Sequence, residues 1–225
     1  MKKSVVTAII VLACVSIARA GLMSPPSPAG KFILEPHGAV GISMMGGELP
    51  DGLDRAMGVG FAYSGGLSFG YGPVSAGAVM FGVEYTGKPF VIHGDYPGRG
   101  KFTDTITTNF IDILFGWKGY VSYFYYEAGL FMGFKVGRWE YIRLYDDKDI
   151  DRLYGYDYEV DENNGDSDFG VYIGLGGSIP LASFLRLDLG VQLQAAFVPG
   201  YEDSAADTTL TTMALMFKAG FTFLI

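Results

Sequence analysis

From Lys31 to Ile225 the chain alternates apolar residues with small or polar ones, in eight separate runs. The run Phe184 to Val198 shows it most cleanly. Leu185, Leu187, Leu189, Val191, Leu193, Ala195 and Phe197 alternate with Arg186, Asp188, Gly190, Gln192, Gln194 and Ala196. A period of two places alternate side chains on opposite faces of an extended chain, so each run predicts a β-strand. The strands are expected at about 31–45, 57–70, 75–87, 102–116, 121–137, 167–179, 184–198 and 210–225. The last reaches the end of the sequence, with Met213, Leu215, Phe217, Phe221, Phe223 and Ile225 on one face. An apolar strand with a bare edge invites aggregation, and closure into a barrel removes the edge.

The connections alternate in length. Those at 46–56, 88–101, 138–166 and 199–209 are long; those at 71–74, 118–120 and 180–183 are short. A barrel with an even number of strands and both termini on one side of a membrane has this pattern. The two faces then fix the class. The polar half of each strand is also rich in Gly and Ala, which suits the narrow interior of eight strands. The bulky apolar half must face outward. A soluble barrel of this sequence would expose about forty apolar side chains, far beyond a tolerable surface patch. The expected fold is therefore all-β: an eight-stranded antiparallel up-and-down transmembrane β-barrel.

Composition adds compartment and excludes partners. Lys2 and Lys3 precede the apolar stretch Val5 to Ile17, and Ala18-Arg19-Ala20 offers a small-residue cleavage site. Residues 1–20 read as a cleavable signal peptide, 21–30 as a short lead-in, and 31–225 as the barrel domain. Cys14, the only cysteine, falls in the signal peptide, so no disulfide is expected to hold the exported chain. Removing Lys2, Lys3 and Arg19 leaves 13 basic residues against 24 acidic ones, which argues against a nucleic-acid partner.

The chain resembles the small eight-stranded outer-membrane β-barrels of diderm bacteria, the OmpA-like and OmpX-like proteins, over about 31–225. The most specific mark is Lys218-Ala219-Gly220-Phe221-Thr222-Phe223-Leu224-Ile225, which fits that family's C-terminal insertion signal through Lys218, Gly220, Phe223 and Ile225. Ile225 stands where the usual terminal residue is Phe. The resemblance implies outer-membrane lipid and the barrel assembly machinery as partners, both termini in the periplasm, and long loops outside. No further domain is expected after the barrel, and so no peptidoglycan anchor of the kind some relatives carry.

Candidate chemistry begins with the charges that alternation turns inward: Glu35, His37, Glu84, Asp112, Glu127, Lys135, Arg186, Asp188 and Lys218. Lys218 is placed to reach Glu35 or His37 on one side and Asp188 on the other. Paired buried charges make a structural plug, the leading reading, with a narrow gated conduit as the alternative. A lipid-modifying enzyme is the more distant reading, because Ser43 and Ser64 have no spacing that couples them to His37 or His93. The loop at 138–166 has mirrored aromatics, Trp139, Tyr141 and Tyr145 before and Tyr154, Tyr156 and Tyr158 after. They predict that the flanking strands continue as a projecting hairpin able to bind an unidentified extracellular ligand. Its acidic runs, Asp147, Asp149 and Asp151, then Asp161, Asn163, Gly165, Asp166 and Asp168, lack a complete calcium-loop pattern. No metal and no cofactor is expected. Phe69, Tyr71, Trp117, Phe184, Phe221 and Phe223 are expected as one aromatic belt, with Tyr85, Trp139 and Phe197 in the other. The function this supports is a non-catalytic barrel with a structural or adhesin-like surface role.

Overall fold

A computed structural model describes residues 26–47, 55–96, 100–137, 140–145, 167–198, 201–203 and 208–225. Twelve strands result: β1 Phe32–Gly47, β2 Arg55–Val74, β3 Gly77–Gly87, β4 Phe90–Tyr96, β5 Gly100–Thr107, β6 Asn109–Val121, β7 Phe124–Lys135, β8 Glu140–Tyr145, β9 Ser167–Ala182, β10 Leu185–Val198, β11 Tyr201–Asp203 and β12 Thr208–Leu224. Eight of them, β1, β2, β3, β6, β7, β9, β10 and β12, form a closed antiparallel ring. β12 pairs with β10 and with β1, and the closing ladder extends to the last residue, whose backbone exchanges two hydrogen bonds with Phe32.

The ring is inverted relative to a soluble core. Glu35, Glu84, Asp112, Lys118, Arg186 and Asp188 are each no more than 2 % exposed. Phe217 is 72 % exposed, Phe124 69 % and Leu175 65 %. Water offers no compensation for such an apolar belt, whereas lipid does. Strands of the length of β3, at about 3.3 Å per residue, cross a hydrocarbon core when tilted. This is a transmembrane β-barrel.

Tight turns at Ser75–Ala76, Ser122–Tyr123 and Ser183–Phe184 close one end. The first two lie beyond the short links expected from sequence, and the third overlaps its expected link at Ser183. At the second, β6 runs through Lys118 to Val121, and Ser122 takes the left-handed backbone (φ 57°) that lets two residues reverse the chain. Lys118, expected in the link, therefore belongs to the barrel wall.

The other end differs more. The stretch 88–101, expected as a loop, is largely strand. β4 continues β3 after a break at Lys88–Pro89, where proline removes a ladder donor. β4 pairs with the far end of β2 and with β5, and β5 pairs with β8. A second sheet, β2–β4–β5–β8, thus stands on one half of the barrel rim. The extension of β7 was expected to form a hairpin with the strand after the long loop. Its described part, β8, pairs on one edge with β5, Tyr141 opposite Ile106 and Tyr145 opposite Phe102, and the other half of the expected hairpin, 154–158, lies outside the described residues. The earlier alternation had this information, since Phe90 and Ile92 carry the buried face of β3 onward; Pro89 and the nearby glycines masked it.

Candidate functional site

Glycines make the lumen fillable. Gly116 and Gly129 face each other across β6 and β7, and the Tyr172 ring lies where their side chains would stand, within 2.7 Å of either ideal Cβ. Gly176 and Gly190 seat Tyr125 in the same way. Any larger residue there would meet ring or backbone. The remaining space is filled by charge in three layers.

The layer nearest the turns centres on Lys118, whose Nζ donates to Glu35 Oε2 and Asp188 Oδ2, both at 2.6 Å. The single hydroxyl hydrogen of Thr222 is shared between the same two carboxylates, Asp188 Oδ2 at 2.8 Å and Glu35 Oε2 at 3.2 Å. Lys118 also lies 4.4 Å from the centre of the Tyr125 ring. Arg186 stacks on Tyr120 at 4.3 Å and donates to Ser178 at 3.4 Å. Ile33, Ala78, Met80 and Leu224 form an apolar cluster in this part of the barrel.

In the middle layer Lys218 Nζ holds both oxygens of Glu127, at 2.9 and 3.0 Å, and stands 3.5 Å from Glu35 Oε1. His37 contacts the Glu35 carbonyl through Nδ1 and Glu84 Oε2 through Nε2, both at 3.1 Å. Both partners are acceptors, so the arrangement suits a ring with hydrogen on both nitrogens. Gln194 donates to Glu84 at 2.6 Å. A cavity of about 10 Å³ between Glu35, Glu127, Lys118, Lys218 and Tyr172 has room for about one water.

The layer nearest the second sheet centres on Lys88, fully buried between the rings of Phe110 and Phe131. Its amine donates to Asp168 Oδ2 at 2.9 Å and stands 3.5 Å from Asp112 Oδ2. Thr212 donates to Asp168 at 2.7 Å.

Of the residues singled out by alternation, Glu35, His37, Glu84, Asp112, Glu127, Arg186, Asp188 and Lys218 are buried inside the ring. Lys135, at the end of β7, is half-buried. Lys218 meets Glu127 and Glu35 rather than His37 or Asp188, because Lys118 occupies the space beside Asp188. Sequence reasoning missed Lys88, Lys118 and Asp168. Lys88 and Lys118 stood one or two residues beyond an expected strand, where continuing the alternation would have found them; Asp168 stood at the start of the strand expected at 167–179 and was read with the acidic run before it.

The two serines differ: Ser64 shares Glu84 Oε2 with His37 Nε2, whereas Ser43 faces a backbone carbonyl. Ser43 donates to the Pro89 carbonyl and Ser64 to Glu84 at 3.5 Å. His93, expected in a loop, lies exposed on β4 beside Thr103 Oγ1 at 3.1 Å. In the terminal segment Gly220 sits against the His37 and Glu35 side chains, Phe223 is half-buried and Ile225 is exposed. Phe69, Tyr71, Phe184 and Phe221 are exposed on the outer wall, as are Tyr85 and Phe197, whereas Trp117 and Phe223 are half-buried. Trp139, Tyr154, Tyr156, Tyr158, the acids from Asp147 to Asp166 and the whole signal segment lie outside the described residues.

No family model and no curated protein sequence matches the chain. Solved structures do. The chain is similar to the outer membrane protein OprG from Pseudomonas aeruginosa at 15% identity, covering 89% of this chain and 98% of that one, with a TM-score of 0.40. Ail, the attachment invasion locus protein of Yersinia pestis, in complex with the heparin analogue sucrose octasulfate, matches at 13% identity over 86% and 99%, TM-score 0.40. Neisserial surface protein A matches at 13% identity over 86% and 97%, TM-score 0.34. At such identities the likeness is one of fold and carries no activity across.

Proposed function

We propose that this protein is an integral outer-membrane barrel, exported by its N-terminal signal, whose work is structural or a surface interaction and not catalysis. The turn end then faces the periplasm, and the second sheet with the loop at 146–166 faces outward. The C-terminal segment around Lys218 and Gly220 serves as the signal read by the assembly machinery. The reading is carried by one pairing of features: a lumen packed with ion pairs beneath a sheet that four barrel strands extend beyond the wall. A plugged interior leaves the projecting backbone and loops as the surface offered to partners.

Three measurements test it. Purified protein in planar bilayers is expected to be silent; stable discrete conductance that shifts in Lys218→Ala would overturn the reading in favour of a conduit. Cells displaying the protein are expected to bind members of a panel of immobilised glycans and secreted proteins. Deletion of 146–166 should abolish that binding while the barrel keeps its heat-modifiable migration on gels. Release of fatty acid from lipopolysaccharide by the purified protein would sink the non-catalytic part.

A further inference from the structure

At the turn end the lumen is closed where the strands themselves stop. Ile33 is the second residue of β1, Leu224 the last of β12 and Tyr120 the last but one of β6, yet each is no more than 7 % exposed. Ala78, on β3, is wholly buried and stands opposite Lys118 in register. The two-residue turns on this side each link adjacent strands, which are about 4.8 Å apart, and do not span the opening. Among the described residues, the segment before β1 is what else lies there.

That segment is folded and seated. Lys31 N–H donates to the Pro28 carbonyl at 3.0 Å, which closes a β-turn. Gly30 takes the left-handed backbone, φ 71°, that the third position of a type II turn requires. The turn lies against the far end of β2. Gly30 N–H donates to the Gly72 carbonyl at 2.7 Å, Gly72 N–H donates to the Lys31 carbonyl at 3.0 Å, and Ala29 bridges Gly72 in parallel. Alternation shows on which side of the wall it sits. Ala62, Ser64 and Ser68 are the buried, inward residues of β2, and Gly72 falls on the same face. A Cβ on Gly72 would overlap the Pro28 carbonyl, and its three nearest heavy atoms would all belong to Pro28. Pro28 is buried, although Ser27, Ala29 and Gly30 around it are exposed. Pro28 therefore stands inside the mouth, in space that Gly72 leaves free.

We infer that residues 26–31 are a strap that closes the turn-side mouth of the barrel, with Pro28 as its wedge and Gly72 as the seat. Beyond the seat lies the layer of Lys118, Glu35 and Asp188, whose ion pairs are stronger where water is kept out. The strap also runs straight into the closing seam, because Phe32, the next residue, exchanges two backbone hydrogen bonds with Ile225. A turn held to the wall at one residue opens at far lower cost than a strand within the ladder. The strap is thus the part of this end that can move while the ring stays closed, whichever side of the membrane it faces.

The test reads water access with a small water-soluble maleimide. Cys14 precedes Gly21, so the chain from Gly21 onward, refolded in detergent micelles, has no thiol until one is introduced. Three single substitutions supply it: Ala78→Cys beneath the strap, Ala76→Cys in the exposed turn beside it, and Ala214→Cys in the buried cluster with Ala39, Ala62 and Met216. Ala78→Cys and Ala214→Cys are expected to react slowly, and Ala76→Cys at the rate of a free thiol. Two further substitutions then act on the strap. Gly72→Ala adds a methyl group against Pro28, and Gly30→Val puts a β-branched residue into left-handed backbone with open space around it. Each should speed the labelling of Ala78→Cys by about tenfold, the strain appearing as a larger open population. Ala214→Cys should stay slow in both, and heat-modifiable migration on gels should be kept. Three results overturn the strap: Ala78→Cys reacting as fast as Ala76→Cys with the strap intact, a rate unmoved by both strap substitutions, or an equal acceleration at Ala214→Cys, which would mean that the whole barrel had loosened.

Discussion

Lys118 and Lys88 hold the same composition in two different geometries. Each is a fully buried lysine beside two carboxylates and aromatic rings. Lys118 reaches both carboxylates at 2.6 Å, and the Thr222 hydroxyl stands beside the same two oxygens, leaving one oxygen of Asp188 bare. Lys88 reaches one at 2.9 Å and stands off the other at 3.5 Å, leaving carboxylate oxygens bare. The difference is positional. Glu35 and Asp188 flank β12, where Thr222 faces Arg186 in register and bridges the two acids. Asp112 and Asp168 flank Gly133, which has nothing to offer them. A buried ion cluster is thus defined by what separates its acids as much as by its charge count, because each carboxylate needs several donors and a lone ammonium has three.

The largest expected effect separates the two lysines. Lys118→Met strands two carboxylates and should cost about 3–5 kcal/mol of unfolding free energy, measured by urea titration in micelles. Lys88→Met should cost less, about 1–3 kcal/mol, because only one full hydrogen bond is lost. Adding Asp112→Asn to Lys88→Met should recover part of that loss, whereas Asp188→Asn should recover less of the Lys118→Met loss. Equal costs for the two lysines, or equal rescue, would erase the distinction. The smallest effect is on the hydroxyls. Thr222→Val serves two acids and should cost about 1–2 kcal/mol, against about 1 kcal/mol for Thr212→Val, which serves one. A reversed order would mean that Thr222 adds little beyond Lys118.

Much of this was legible in the chain. The inward set from Glu35 to Lys218 followed from alternation, because a residue's face depends on its own strand. Lys88, Lys118 and Asp168 were lost at strand ends, where Pro89, Gly119 and an acidic run looked like loop. In each case tertiary pairing overrode the local signal: β6 carries Lys118 because β3 and β7 offer it partners. The second sheet was hidden for the same reason, since β4 and β8 exist by pairing with β5.

Period-two alternation is a property of the extended backbone, so the residues alone decided that this chain has an apolar outside and a polar inside, and hence that it lives in lipid. Which charges meet is another matter. Lys218 was free in sequence to take Asp188, and the folded ring gave it Glu127, on the far side of the lumen. Contacts across a barrel depend on the accumulated register of eight strands and on closure. No single strand contains that information, and only the assembled ring supplies it.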